Sequence, residues 1–157
     1  MARYEFLTTW CVDAPIERVF AVLNDSAAFP EWWTGVTAVQ VLQEGDDRGV
    51  DELARYSWRS TLPYTLTFDT RVTRVEPPHL IEGRATGELE GVGIWRLFAG
   101  PGGTAAIYDW RVRTTKLWMN ALGPLPRPAF AWNHDRVMRQ GGRGLADRLG
   151  ARLIVQD

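Results

Sequence analysis

One histidine stands out among the residues that can do chemistry. His134 falls in a run of residues that recur every three or four positions, as on one face of a helix: Phe130, His134, Val137, Met138, Gly141, Leu145 and Leu149. An imidazole on the wall of a cavity can act as a general acid or base near neutral pH. The alternative is a structural histidine whose ring bonds to Asn133, Asp135 or a carbonyl group at the helix start. His134 is therefore a candidate catalytic residue, with both interpretations open.

Tyrosine hydroxyl groups are the second candidate source of acid–base chemistry. Tyr56, Tyr64 and Tyr108 share the inner face of the predicted strands. There, a hydroxyl can orient a ligand carbonyl or donate a proton in a cyclisation. Tyr64 and Tyr108 are the candidate catalytic residues among them. The alternative is a core tyrosine whose hydroxyl is bonded to the backbone.

The chain is rich in aromatic residues, with eight tryptophans, six phenylalanines and four tyrosines. Tryptophan is too bulky to hide easily in a small core, and its indole N–H requires a partner. The set favours aromatic walls around a ligand, although a densely packed core would use the same residue types. The predicted ligand-binding residues are Trp10, Tyr56, Trp58, Phe68, Trp95, Trp110, Phe130, Val137, Met138 and Gly141.

An antiparallel sheet and a long helix are needed to bring these candidates together. Alternation with a period of two predicts seven strands, at Arg3–Val12, Val36–Glu44, Val50–Ser60, Tyr64–Glu76, Leu80–Glu90, Ile94–Ala99 and Ala105–Thr115. Short turns between them, one at Gly91, favour a meander over βαβ units. Two short helices follow the first strand, and Asp13 and Ser26 are their predicted caps.

The last predicted element is a long amphipathic helix after Pro128. Its glycines, at positions 141, 142 and 144, indicate either a close backbone approach or room left for a ligand. Arg148 and Arg152 interrupt the apolar stripe, which predicts that the final turn leaves the sheet or frays.

Composition and missing motifs exclude several classes of function. His79 and His134 are the only histidines, and no nucleotide-binding motif is present, so neither a metal nor an organic cofactor is expected. A formal net charge of −1 gives no general attraction to nucleic acid, and no stretch reaches the roughly 20 apolar residues of a membrane span. The single cysteine, Cys11, fits a reducing compartment. We expect one cytoplasmic domain, residues 1–157.

Arginines on the outer side of the predicted C-terminal helix suggest a possible docking surface. Arg136, Arg139 and Arg143 lie opposite the apolar stripe. An acidic protein partner could dock there, and a homodimer is also open. A solvated helix face is the simpler interpretation.

Three stretches carry a family resemblance. The run Val12–Phe20, followed by Asp25 and Phe29–Trp33, resembles the start of START-related, birch-pollen-allergen-like domains. Thr114–Asn120 and Trp132–Met138 are similar to the bacterial polyketide cyclase/dehydrase subgroup. The resemblance implies an α+β helix-grip fold, in which a curved seven-stranded antiparallel sheet surrounds a long C-terminal helix, with two short helices after the first strand. The superfamily includes aromatase/cyclases, lipid carriers and hormone receptors, so it implies a cavity but no single chemistry.

Three functions remain open from the sequence. The first is binding of a small hydrophobic ligand, aromatic or polyketide-like, between the sheet and the C-terminal helix. The second is a cofactor-free cyclase, dehydratase or aromatase in which His134 or a cavity tyrosine moves the proton. The third is a protein-interaction or regulatory domain, which predicts a small or collapsed cavity. The width of the cavity and the direction of the His134 ring distinguish them.

Overall fold

A computed structural model of the chain describes residues 3–59, 64–115 and 127–157, with only the backbone at Arg127. Residues 60–63 and 116–126 lie outside this description. The second of these segments holds Asn120 and most of Thr114–Asn120, so that part of the family resemblance cannot be placed in the fold.

An open antiparallel sheet of eight strands holds one long helix. The strands are β1 (Arg3–Val12), β2 (Val36–Gln43), β3 (Leu53–Trp58), β4 (Leu66–Glu76), β5 (Leu80–Gly87), β6 (Leu89–Gly100), β7 (Gly103–Thr114) and β8 (Leu153–Gln156). The helices among the described residues are α1 (Ile16–Leu23), a 3₁₀ turn (Ser26–Ala28), α2 (Phe29–Trp32) and α3 (Arg127–Leu149). The strand order across the sheet is β2-β3-β4-β5-β6-β7-β1-β8. The helix-grip prediction is confirmed, with one strand more than expected.

Side chains of β1 alternate between the core and the surface, as the sequence pattern predicts. Tyr4, Thr8 and Trp10 are buried, whereas Glu5 and Leu7 are exposed. Because successive strand residues point to opposite faces, this alternation assigns the aromatic face of the sheet to the core.

The turn between β5 and β6 is not at Gly91, as predicted, but at Glu88. Gly91 lies inside β6, where it pairs with both Ala85 and Val112. A Cβ atom at this position would overlap the carbonyl oxygen of Arg111. The glycine therefore marks a close approach between strands and not a turn.

Helix α3 lies close to the short helices because it carries glycines at the contact. A Cβ atom on Gly141 would lie 2.6 Å from the Trp33 ring, and one on Gly144 would overlap the carbonyl oxygen of Trp32. The Trp33 indole Nε1 donates a hydrogen bond of 2.8 Å to the carbonyl oxygen of Val137. Of the two explanations for these glycines, close backbone approach is confirmed.

Strand β8 is an element that the sequence pattern did not predict. Helix α3 ends at Leu149, and Gly150 follows with a φ of +62°, the left-handed conformation that commonly ends a helix. The chain then turns back, and β8 pairs antiparallel with β1. Arg148 and Arg152 thus lie at the end of α3 and just before β8, where charged side chains can face solvent.

Neither predicted cap residue caps its helix. Helix α1 begins after Pro15 without a side-chain cap bond, and the Asp13 carboxylate accepts a hydrogen bond from the backbone N–H of Arg152. Ser26 instead donates its hydroxyl hydrogen to Glu52. Both side chains bond to residues far along the chain, and a local pattern carries no signal for such contacts.

Candidate functional site

A small cavity lies between the sheet and the segment that runs from the end of α1 to the start of β2. Its volume is about 80 Å³, roughly half of the ~150 Å³ of an engineered cavity that binds benzene. Aromatic side chains line the sheet side: Tyr56, Trp58, Phe68, Trp95, Tyr108 and Trp110. The opposite side is lined by Leu23, Asn24, Ser26, Phe29, Trp33 and Val36.

The space exists because the middle of the sheet carries small inward residues. Gly83 and Ala85 of β5 and Gly93 of β6 all line the cavity, and Gly83 pairs directly with Gly93. A Cβ atom on Gly93 would overlap the hydroxyl oxygen of Tyr108. The glycines therefore form the floor of the cavity and leave room for the Tyr108 hydroxyl above it.

One end of the cavity is polar. The buried Ser26 hydroxyl donates a hydrogen bond of 2.5 Å to Glu52 Oε1, a length typical of a bond to a charged oxygen. The backbone carbonyl of Glu52 accepts a bond of 2.9 Å from the Val72 N–H, which holds the glutamate beside β4. Within the described residues, Glu52 forms no ion pair.

The two cavity tyrosines keep their protons at neutral pH. Burial raises the pKa of Tyr56, and the interaction with Ser26 offsets part of this effect. Burial likewise raises the pKa of Tyr108, and the nearby Tyr56 and Asp109 raise it further. Both hydroxyls can therefore donate a hydrogen bond.

The loop before β3 is fixed beside the cavity by Asp46. Its carboxylate accepts bonds of 2.9 Å from the backbone N–H groups of Val50 and Arg48. These bonds, with Val50 foremost, hold the pKa of Asp46 below its usual range. The Asn24 side chain donates a bond of 3.0 Å to the carbonyl oxygen of Arg48, and Gly49 lines the cavity. The loop is thus joined to the end of α1.

His134 lies outside the cavity lining. Its ring stacks on Phe6, and its Nδ1 atom lies 3.4 Å from the Asp135 carboxylate. The residue is 3% exposed, and burial lowers its pKa, an effect that Asp135 partly offsets. The Nε2 atom has no hydrogen-bond partner in the described part of the chain. This placement favours the structural interpretation over a catalytic role in the cavity.

Tyr64 also lies outside the lining, ahead of β4. Its hydroxyl oxygen accepts a bond of 3.2 Å from Asn133 Nδ2, and burial raises the pKa of Tyr64 to about 12. The Asn133 amide is thus bonded to Tyr64, and it is not the partner of the His134 ring. Of the three predicted catalytic residues, Tyr108 alone lines the cavity.

Five of the six predicted ligand-binding residues on the sheet line the cavity, whereas Trp10 and the four on the helix do not. Tyr56, Trp58, Phe68, Trp95 and Trp110 are lining residues. The others are buried in the core outside the lining: Trp10, Phe130, Val137, Met138 and Gly141.

The close approach of α3 explains why its residues and Trp10 do not line the cavity. Its glycines let the helix meet the short helices and β1 directly. The rings of Trp10 and Trp33 fill the region between them, with centroids 5.3 Å apart. The cavity therefore lies beside the short helices instead of beneath α3.

Sequence reasoning missed the polar end of the cavity. Ser26 stood in a break between two helical runs, where a cap is the usual explanation. Glu52 follows a turn that is rich in charged residues, so the sequence predicts that it lies on the surface. Sequence spacing does not predict contacts between residues of different loops. The sequence therefore gave no indication that Ser26 and Glu52 belong to the site.

Two kinds of site are absent from the described residues. Within ranges 3–59, 64–115 and 127–157, no group of three or more His, Cys, Asp or Glu side chains could hold a metal ion. None of the helices in these ranges is both long and apolar enough to cross a membrane.

A protein family model matches most of the chain. A sequence model of the family described as polyketide cyclase/dehydrase and lipid transport matches residues 5–150. No curated protein matches the sequence significantly.

Solved structures share the fold. The di-domain ARO/CYC BexL from the BE-7585A biosynthetic pathway has a TM-score of 0.74 and 21% identity, over 96% of this chain and 51% of that one. The chain thus spans about half the length of BexL. The Zhui aromatase/cyclase from Streptomyces sp. R1128 has a TM-score of 0.66 and 19% identity, over 95% and 93% of the two chains. A START superfamily protein from Mycobacterium smegmatis has a TM-score of 0.71 and 16% identity, over 94% and 97%.

Proposed function

The chain belongs to the polyketide cyclase/dehydrase and lipid transport family, and from this premise we propose that it binds a small aromatic ligand in the cavity. The observation that carries the proposal is the lining, in which six aromatic side chains from four strands surround one space. Aromatic rings provide offset and edge contacts to a bound ring in addition to apolar area. Membership of the family supports either ligand binding or a cyclase role.

The size of the cavity limits the ligand. A volume of about 80 Å³ is below that needed for benzene, so even one ring must displace side chains of the lining. A ring that buries about 200 Å² gains about 5 kcal/mol at 25 cal/mol per Å². Because the loss of translational freedom offsets part of this gain, we expect dissociation constants in the millimolar range.

Calorimetric titration of the purified protein tests the proposal. Toluene and phenol are suitable single-ring probes, and 1-naphthol is the two-ring comparison. We expect the single-ring probes to bind and 1-naphthol to bind at least tenfold more weakly. Ala85→Leu should fill the cavity and abolish binding, because Ala85 lies in its floor.

Ala38→Leu is the matched control, because Ala38 is exposed on β2 and the substitution adds the same volume outside the cavity. It should leave the affinity for toluene unchanged. Failure of the unaltered protein to bind any single-ring probe would contradict the proposal.

A cofactor-free cyclase is the second candidate, and it is favoured by the presence of Tyr56, Tyr108 and Glu52 in the lining of one cavity. The small volume restricts such an enzyme to short substrates. Heptane-2,4,6-trione is a suitable probe, because aldol closure and loss of one water convert it to 5-methylbenzene-1,3-diol. Product should form faster with the protein than in buffer, and more slowly with Tyr108→Phe. Equal rates with and without protein would exclude this activity for that substrate.

A protein-interaction domain is the third candidate, and the small volume agrees with it. The same titrations separate it from the other two, since an interaction domain binds none of the aromatic probes. The acidic partner and the homodimer stay predictions.

A further inference from the structure

Among the described residues that line the cavity, Glu52 carries the only charge, and the aromatic side chains number eight: Phe29, Trp33, Tyr56, Trp58, Phe68, Trp95, Tyr108 and Trp110. We propose that the cavity accepts a single-ring ligand with a protonated amino group, an arylalkylamine, whose ammonium group lies at Glu52. The proposal rests on the proposed function and names the class of aromatic ligand.

The carboxylate of Glu52 has room to bind a cation. Its Oε1 atom accepts the 2.5 Å hydrogen bond from Ser26, whereas Oε2 accepts none from the described residues. An ionised carboxylate accepts about four hydrogen bonds, so both oxygens keep capacity for an ammonium group. Glu52 is half-buried, as are the lining residues Asn24 and Gly49. A charged group bound there therefore keeps part of its contact with water.

No basic side chain in the described part of the chain neutralises Glu52. Arg55, three residues further on, forms an ion pair with Asp69. Arg71 of β4 donates a hydrogen bond of 3.3 Å to the backbone carbonyl oxygen of Asp51. Neither arginine lines the cavity. The site therefore offers a negative charge whose counterion can come from a ligand.

The aromatic walls suit a cation as well as a ring. The face of an aromatic ring attracts an ammonium group that lies within about 6 Å of the ring centre. Tyr56 connects Glu52 with these walls, since its ring is parallel to that of Phe68, with centroids 5.8 Å apart and 5° between the planes. Burial raises the pKa of Tyr56, and the charge of Glu52 raises it further. The carboxylate thus acts on the interior of the cavity.

The charge of the ligand, more than its shape, should decide its affinity. Exposed ion pairs contribute a factor of about five at most, and pairs in surroundings of lower dielectric constant contribute more. Removal of the ammonium group from water offsets part of this gain. We therefore expect an advantage of about tenfold for a cation over a neutral molecule of the same shape, and repulsion of an anion.

Calorimetric titration at pH 7 with four single-ring probes tests the selectivity: toluene, benzyl alcohol, benzylamine and benzoate. Benzylamine and benzyl alcohol have nearly the same shape, and both can donate a hydrogen bond to Glu52, so their ratio isolates the charge. Benzylamine should bind about tenfold more tightly than benzyl alcohol. Benzoate should bind at least tenfold more weakly than benzyl alcohol.

Glu52→Gln removes the charge and keeps an oxygen that can accept the bond from Ser26. The ratio of benzylamine to benzyl alcohol affinity should fall to about one, and benzoate should gain affinity. A structural defect would instead weaken all four probes together. Glu82→Gln is the matched control, because Glu82 is also half-buried and accepts a hydroxyl bond, of 3.0 Å from Thr73, but lies outside the lining. It should leave the ratio within about twofold of its original value.

A second variant tests whether the amine binds inside the cavity. Surface carboxylates also attract cations, but they do so without regard to the volume of the cavity. Ala85→Leu fills the floor and should abolish benzylamine binding together with toluene binding. A melting temperature near that of the unaltered protein shows that each variant folds.

The outcomes separate the two proposals. If toluene or benzyl alcohol binds but benzylamine has no advantage, or if Glu52→Gln leaves the ratio unchanged, the selectivity is overturned and ligand binding stands. Retention of benzylamine binding by Ala85→Leu would place the amine outside the cavity and also overturn the selectivity. If no probe binds the unaltered protein, the proposed function fails, and the selectivity fails with it.

Discussion

The imidazole ring of His134 lies parallel to the phenyl ring of Phe6, with centroids 3.8 Å apart and 13° between the planes. Trp110, the cross-strand partner of Phe6, is also parallel to the imidazole, at 5.3 Å and 12°. Helix α3 thus places a polar ring on an aromatic pair of the sheet. Protonation would bury a charge at this contact, and burial lowers the pKa of His134 for that reason.

The first prediction concerns stability against pH. Because the pKa of His134 is lower in the folded than in the unfolded protein, the unfolded state binds more protons below about pH 6.5. Stability is fully present above that pH and is lost as the pH falls towards the folded pKa, by at most about 1.4 kcal/mol per pH unit. Melting temperatures at pH 7.5 and 5.5 should show a smaller acid loss in His134→Phe. His79→Gln, which removes the other histidine, should retain the full loss.

The second prediction is that His134 contributes little to ligand binding. His134→Phe keeps a flat ring on Phe6 and removes a buried nitrogen that has no partner among the described residues. We expect the affinity for toluene to change less than about twofold, and the stability at pH 7.5 to be equal or higher. Calorimetry and urea unfolding measure the two quantities. A tenfold loss of affinity would instead place His134 in the binding site.

The third prediction concerns the close approach of α3. Alanine normally stabilises a helix relative to glycine by about 1 kcal/mol. At Gly144 we expect the opposite, a loss of about 1–3 kcal/mol, because the added methyl group would overlap the carbonyl oxygen of Trp32. Urea unfolding of Gly144→Ala measures the loss. Gly102→Ala is the control, since nothing lies within 4 Å of a Cβ atom there, and its stability should be close to that of the unaltered protein.

The fourth prediction compares two neighbouring indoles. Trp33 donates a hydrogen bond to the carbonyl oxygen of Val137, whereas the Trp32 indole N–H has no partner in the described part of the chain. Both rings are buried, so phenylalanine removes a similar volume from each site. Trp33→Phe should therefore destabilise the protein by about 1 kcal/mol more than Trp32→Phe. Equal losses would mean that the bond to α3 contributes nothing measurable.

The spacing of apolar residues along the sequence was sufficient to predict most of the fold. Alternation along β1 and β7, and the three-to-four spacing of Phe130, His134 and Val137, assign each element one buried face. These signals are local, because a strand or helix must bury its own apolar side whatever it packs against. Strand β8 carries no comparable signal, since it is four residues long and follows Arg152.

The position of the cavity could not be predicted in the same way. It depends on where small residues from separate elements coincide: Gly83 and Gly93 leave space in the sheet, whereas Gly141 and Gly144 remove space beneath α3. In the sequence the two pairs are indistinguishable. Which pair creates a void depends on the distance between layers, and that distance is a property of the packed structure.

The place of β1 in the strand order affects how the chain is made. β1 is bonded on one side to β7 and on the other to β8, and both are formed late in the chain. During synthesis on the ribosome, β1 therefore has no partner until Gly103–Thr114 has emerged. Until then its apolar face, which includes Trp10, is not covered by the contacts that bury it in the folded protein. Such delayed pairing slows folding and exposes the nascent protein to aggregation, so its yield should depend on chaperones more than its final stability would suggest.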